Sequence, residues 1–482
     1  MKAALILGTQ LLRDHPALTD ESVDVVIMIE AQDLCAKLPY HRHKLILLLA
    51  GMRHYQELAQ SHKSVIYHEI QDTPVFKAAL VETLKNNAVT ELIWMTSSDT
   101  PANRRLQSIA DEMNVQTMRY DNGLFITPEQ LLREWFEKHP KALMETFYRW
   151  QRQRTGILCE GTLPVGGQWN FDENNRQALP KSGIAIPPLP SIKADDITKS
   201  VMQSIDALFP NNPGASNNFW LPVTHKSADE WLDNFMTYRF DQFGPYEDAM
   251  QNGEAFLFHS VLSPLINCGL LSVDQVINAA LTTYGQDDAR LASVEGFIRQ
   301  LIGWREYMYG IYLSQPDLKE ANYFGLTKEL EDWWYTDAAL QQDLPPPVLG
   351  ALKTVYTYGY NHHIERLMVL GNWFLLNNYS PKSVYRWFSS LYVDAYEWVM
   401  VPNVMGMSQY ADGGKTATKP YISGGNYLQK MGRWWPTTKS AQQSEFTQLY
   451  WEFLDRHYEL LQSNFRMALV LKQVAARRNK VS

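Results

Sequence analysis

Four stretches of the chain combine residue types that do chemistry. The first is Asn361–Met368, where His362 and His363 are adjacent and precede Glu365 and Arg366. Consecutive residues of a helix point about 100° apart, so this pair does not readily chelate one metal. One imidazole facing a cavity, with the other supporting it, suits proton donation near neutral pH. A purely structural pair is the competing reading. The second, Phe256–Pro264, brings Ser260, Leu262 and Ser263 to an expected helix start. Hydroxyls and free backbone N–H groups there can hold a diphosphate, and simple capping by Ser263 is the alternative. The third, Phe297–Tyr307, sets Gln300, Trp304 and Arg305 on a few helical turns. Such a strip suits a phosphate, a ribose and a stacked base, or else it is a half-solvated helix face. The fourth runs from Asp394 to Met431. Its small residues and turns interleave with Lys419, Tyr421, Asn426 and Tyr427, a mixture that lets a flat ligand or a nucleic acid strand approach the backbone.

Two kinds of element must position these stretches. Residues 1–130 alternate buried-strand patterns (3–7, 23–29, 65–68, 91–95) with helical ones (44–60, 75–86, 101–113). That order predicts a parallel sheet wrapped by helices. The loop after the first strand, Gly8-Thr9-Gln10, lacks the G-x-G-x-x-G fingerprint, so a nucleotide there is weakly indicated. A small ligand at the strand ends is compatible with the fold. Residues 131–195 carry a helix and a Gly/Pro/Asn-rich connector. From residue 196 to 482 helical periodicity takes over, as at 273–282, 294–312, 348–377 and 446–474.

Composition narrows the class. Hydrophobic residues are 45% and charged residues 20% of the chain, as in ordinary globular proteins. The net charge of −8 argues against coating DNA indiscriminately but leaves room for a local basic groove. Fifteen Trp and 25 Tyr suggest large aromatic pockets or electron-relay paths, with a heavy aromatic core as the plain alternative. Three scattered cysteines, Cys35, Cys159 and Cys268, include no C-x-x-C pair, which disfavours a zinc site. No apolar run is long enough to span a bilayer, and the start reads as no signal peptide. A cytoplasmic monomer is expected.

Together these stretches resemble the photolyase and cryptochrome superfamily, specifically its prokaryotic (6-4) photolyase branch. The resemblance runs over nearly the whole chain. It includes Gly8-x-Gln-Leu11, Met52-Arg-His54, Phe147-Tyr-Arg149, Arg154-Thr-Gly156, Gly166-Gly-x-Trp-Asn-Phe-Asp172, the histidine stretch and the block from Pro402 to Tyr427. It implies a Rossmann-like α/β antenna-type domain (1–130), a helix and long connector (131–195), and an all-helical FAD-binding domain (196–482). By motif match, Ser260, Leu262, Ser263, Gln300 and Arg305 lie at the FAD phosphates. Arg366 and Asp394 pair beside the isoalloxazine, with Met400 at its N5 edge and Asn403 close by. The implied activity is light-driven repair of UV-damaged DNA, with His362 and His363 as proton donor and support in an order left open. Damaged bases cost less to flip out, and photolyases are a standard example of such flipping. The resemblance puts Asp172, Arg176, Lys419, Tyr421 and Tyr427 near the flipped lesion or its phosphates. Trp387 and Tyr396 match electron-relay positions. Phe388 stands where a relay tyrosine is common, so Trp334 and Trp398 are candidate detours.

The chain departs from that pattern twice. Most members of the branch hold a 4Fe–4S cluster through four cysteines of the helical domain, and this sequence has no cysteine beyond Cys268. No cluster is expected, and aromatic packing by Met431–Pro436 is the expected substitute. The loop from Met95 to Leu106 differs from the usual Gly-Glu-Trp antenna loop, which leaves a 6,7-dimethyl-8-ribityllumazine antenna open. The rival readings are a blue-light cryptochrome, disfavoured by the short stretch after Arg477-Arg478, a cyclobutane-dimer photolyase, and a DNA-binding module with a vestigial flavin pocket.

Overall fold

The computed structural model describes residues 1–141 and 143–481. Its first layer system is a five-stranded sheet of β1 (Lys2–Leu5), β2 (Val25–Ile29), β3 (Ser64–His68), β4 (Glu91–Met95) and β5 (Gln116–Tyr120). All pairings are parallel, in the order β3-β2-β1-β4-β5. Side chains of a strand alternate between faces, and the two cores follow that alternation. Ala4, Val26 and Met28 pack with the helix Arg42–Gln60. Ala3, Leu5, Val25 and Ile27 pack with Phe76–Asn86 and Thr100–Met113 on the other side.

The strand order reverses between β1 and β4, where ligands of such sheets gather at the carboxyl ends. A cavity of about 740 Å³ opens there. Gly8, Glu30 and Asp99 line it from the sheet side, and Tyr385, Tyr396 and Glu397 from the helical side.

The connector carries only short turns, Val165–Gly167 and Asp172–Asn174, after the strand pair near residue 160. Two of its backbone N–H groups bond to the helical part. Phe171 N–H donates to Glu295 Oε2 at 2.9 Å, and Gln177 N–H donates to the Pro245 carbonyl at 2.7 Å. From Asp196 onward the described residues are helical, with one isolated bridge between Lys328 and Tyr379.

Several sequence expectations are subdivided by the structure. The span 348–377 is not one helix. Pro346–Tyr358 ends at Gly359, whose φ of 64° is left-handed, and an added Cβ would meet the Val393 side chain at 2.7 Å. The span 446–474 divides into Glu445–Arg456, Tyr458–Leu461 and Ala468–Val481. Strand β5 was not expected, because its sequence Gln-Thr-Met-Arg-Tyr has no apolar run and it occupies a half-exposed sheet edge.

Candidate active site

Three π-helical turns surround one cavity in the helical part. Arg299–Arg305 interrupts the run between Leu291–Ile298 and Glu306–Ser314, Glu365–Gly371 precedes Asn372–Leu376, and Val401–Ser408 follows Glu397–Met400. A π turn widens the helix by one residue and re-aims side chains, which is why such turns collect at functional sites. The first contributes Gln300 and Arg305 to the wall, the second Arg366, and the third Asn403 and Ser408. The cavity holds about 310 Å³, and Ser260, Leu262, Ser263, Asp394 and Met400 complete its expected lining.

The short helix Ser263–Cys268 starts where expected, but Ser263 is not its cap; Leu262 holds that position without a side-chain bond. The Ser263 hydroxyl instead donates to Asp394 Oδ2 at 2.6 Å. Arg366 grips the same carboxylate in two bonds, Nη1 to Oδ1 at 2.8 Å and Nη2 to Oδ2 at 3.1 Å. Arg366 Nε donates to the Asn361 carbonyl at 2.7 Å, and its guanidinium lies 4.2 Å from the Tyr392 ring centroid. Breaking a buried pair of this kind by removing one partner costs about 3–5 kcal/mol.

Arg305 is only loosely paired, its Nη1 3.8 Å from Glu306 Oε1. Burial lowers its pKa to about 10, and Glu306 only partly offsets that. Nη1 reaches the Leu124 carbonyl at 2.8 Å and the guanidinium lies over Phe125 at 4.1 Å, but Nε and Nη2 are buried with no partner. Unsatisfied buried donors on a charged group are costly. A phosphate-like anion in this cavity fits them.

At the other end of the wall the two histidines part company. His362 is fully buried and stacks on His259 with centroids 4.6 Å apart and planes 9° apart. Neither of its ring nitrogens has a hydrogen-bond partner. Burial, with His259, His363 and Arg366 close by, holds its pKa well below the usual histidine value, so it is neutral. His363 lines the cavity, its side chain is 55% exposed, and its Nε2 lies 3.3 Å from Asp248 Oδ1. One ring nitrogen from each of His259, His362 and His363 falls within 4.8 Å of the others.

A charged cluster adjoins His363. Arg176 reaches Asp172 at 3.0 Å, Glu247 at 3.5 Å and Asp248 at 3.8 Å, and Arg299 also pairs with Asp172. Burial alone would raise the Asp248 carboxyl, but His363, Arg176 and Arg299 overcome it and hold it below the usual range. Tyr421 and Tyr427 both lie within electrostatic reach of Arg176 and Asp248. Lys419 is exposed two residues before Tyr421.

The aromatic candidates separate as well. Phe388 lines the cavity, and Trp387 packs behind it at 5.2 Å. Trp334 follows Trp387 at 6.4 Å, and half-buried Trp333 stacks on Trp334 at 4.3 Å. Trp398 lines the opposite wall under Arg305 at 5.0 Å. Tyr396 faces the second cavity, with Lys44 Nζ 5.3 Å from its ring centroid. Sequence reasoning missed His259, Glu247, Asp248 and Arg299. His259 stood inside the stretch read for its serines and Arg299 inside the one read for Gln300 and Arg305, while Glu247 and Asp248 come from a segment with no motif of its own.

Comparison with known proteins agrees with this architecture. A family model described as deoxyribodipyrimidine photo-lyase-related protein matches residues 4–221. A (6-4) photolyase of Agrobacterium fabrum is 36% identical over 478 residues, spanning 96% of this chain and 93% of that protein. An uncharacterized protein of Acanthamoeba polyphaga mimivirus is 36% identical over 115 residues, 24% of this chain and 85% of its own length. The crystal structure of a bacterial class III photolyase from Agrobacterium tumefaciens shares the fold, with a TM-score of 0.59 at 13% identity over 98% of both chains. No helix among the described residues is long and apolar enough to cross a membrane. The chain belongs to the photolyase family.

Proposed function

We propose that this chain repairs (6-4) pyrimidine–pyrimidone photoproducts in UV-damaged DNA, using light and FAD. The observation that carries the reading is the succession along one cavity wall. A buried cation with two unpartnered donors, Arg305, stands at one end and the Arg366–Asp394 pair lies farther along. An accessible histidine bonded to a carboxylate, His363 with Asp248, stands at the other end. FAD, when bound, supplies the photoexcited electron. Arg305, with Ser260 and Gln300, holds its diphosphate, while Arg366, Asp394, Met400 and Asn403 orient the ring system. His363 delivers the proton to the lesion, and Asp248, 3.3 Å from its Nε2, orients the imidazole. His362, buried and neutral, supports His363 from below. Asp172, Arg176, Tyr421 and Tyr427 seat the flipped nucleotides.

The cavity at the strand ends, with Glu30, Lys44, Asp99 and Arg105 in its walls, suits a polar antenna chromophore such as the lumazine. Three cysteines are too few for the four-cysteine cluster of the branch, and we infer that the protein works without it.

The deciding experiment is repair of both major UV lesions by reduced protein under blue light against dark controls. Light-dependent loss of (6-4) photoproducts is expected. Repair of cyclobutane dimers alone would overturn the lesion assignment. Photochemistry with no repair of either lesion would favour a sensory role.

Replacing Arg305 with Met tests the cofactor site. Hydrogen bonds to charged groups contribute about 1.5–3 kcal/mol each, so the FAD Kd should rise on the order of 10- to 100-fold. The FAD-free protein should lose little stability, because the 3.8 Å contact with Glu306 is weak and two unpartnered buried donors leave with the guanidinium. Unchanged FAD affinity, measured by fluorescence titration, would disprove the phosphate role.

A further inference from the structure

The surface beside Tyr421 carries an apolar feature that the repair reading has not used. Phe465 is 82% exposed and Leu469, four residues on, is 75% exposed. Leaving a Phe and a Leu in water forgoes burial worth about 1.5–3 kcal/mol each. Phe465 is not on a loose tail. It opens the turn Phe465–Met467, and the Asn464 side chain accepts from Arg466 N–H at 3.0 Å. The same amide donates to the Tyr410 hydroxyl at 3.1 Å and the Thr418 carbonyl at 3.0 Å. That bond fastens the turn to the stretch bearing Lys419 and Tyr421. Arg466 lies 5.6 Å from the Phe465 ring centroid. Burial raises the Tyr421 phenol, with Asp248 adding to it, and Arg176 and Arg466 both counter it, so both cations lie within electrostatic reach of the tyrosine. In a chain of net charge −8, exposed Lys415, Lys419 and Arg466 gather on this face.

We propose that this turn is a duplex-DNA wedge. Phe465 enters the base stack at the gap left by a flipped lesion, and Arg466 and Lys419 take flanking phosphates. The inference rests on the DNA-repair reading above. Its physics is that of apolar side chains inserted between base steps, with the unstacked neighbours regaining a π surface on the ring. Leu469 widens the apolar tip, and the cations supply the sequence-independent attraction. The partner is thereby specified as double-stranded DNA with an extruded nucleotide, in preference to a single strand, which has no gap to fill.

The test uses FAD-loaded protein in the dark and oligonucleotides carrying one (6-4) lesion, single-stranded and as duplexes with 2-aminopurine opposite the lesion. Phe465→Ala should weaken duplex binding on the order of tenfold, leave single-strand binding unchanged, and abolish the 2-aminopurine fluorescence change on binding. Arg466→Gln should lower the slope of log Kd against log salt by about 0.9. Wild-type duplex affinity and fluorescence change in Phe465→Ala would overturn the wedge, and so would equal losses on single and double strands. A wild-type protein that did not distinguish lesion from undamaged DNA would sink the repair reading itself. The two failures are therefore separable.

Discussion

The His363→Ala variant is expected to lower the yield of (6-4) repair per absorbed photon by a factor on the order of 10²–10⁴, the usual worth of a positioned general acid. FAD content, lesion affinity and thermal stability should stay near wild type. The separation follows from the residue's surroundings. Its side chain is 55% exposed, so truncation removes little packing, and changes at such sites usually stay within about 0.5 kcal/mol. Asp248 keeps Arg176 at 3.8 Å, so the carboxylate is not stranded. The chemistry has no such substitute, because the other two imidazoles are buried. Burial holds both His259 and His362 well below the usual histidine pKa, and each therefore lacks a second proton to give at neutral pH.

His362→Ala forms the control. This ring is fully buried against His259, and large-to-small changes in a packed interior cost about 2–5 kcal/mol. Lost repair in that variant should come with a lowered melting temperature, whereas in His363→Ala it should not. Retained repair in a stable His363→Ala protein would remove it as the acid. Loss of FAD together with repair would instead assign the residue to the cofactor pocket.

This asymmetry marks the boundary of what the sequence discloses. The adjacency of His362 and His363 identifies a pair, but not which ring meets the cavity. That depends on Phe256–Pro264 and on Asp248, brought in from far along the chain. Strands β1, β2 and β4 were legible because burial on both faces leaves continuous apolar runs. Edge strand β5 was not, having one polar side and no such run. The Arg366–Asp394 pair was legible only through family motifs, and the Ser263–Asp394 bond not at all, since no periodicity brings residues 263 and 394 together. The π turns left no trace either. One extra residue per turn hardly alters a 3.6-residue pattern, yet three of them shape the cavity wall. Arg305 shows the converse case. Its position was readable, but that two of its buried donors lack protein partners emerges only from the packed structure.

The Trp387→Phe variant should reduce oxidised FAD under light at least about tenfold more slowly than wild type, equivalent to roughly 1.4 kcal/mol of added barrier, while chemically reduced protein repairs lesions at nearly the normal yield. The first process draws an electron inward from the surface. One oxidisable path runs from Trp333 to Trp334 at 4.3 Å, to Trp387 at 6.4 Å, and past Phe388 to the cavity. Phe388 is a poor electron donor, so Trp387 is the last indole before the cofactor on that side. Tyr392, 6.0 Å from Trp387 and stacked on Phe388 at 5.2 Å, offers a side branch. Under the proposed function, repair would use none of this, because its electron would start on reduced FAD and not at the surface. The substitution also removes the Trp387 Nε1–H bond to the Trp334 carbonyl, and an orphaned buried acceptor costs about 1–3 kcal/mol. Melting temperature and FAD content must therefore be measured alongside. Wild-type photoreduction in a folded Trp387→Phe protein would move the relay to the Trp398 wall. Joint loss of photoreduction and repair with FAD released would mean that Trp387 supports the pocket and does not conduct.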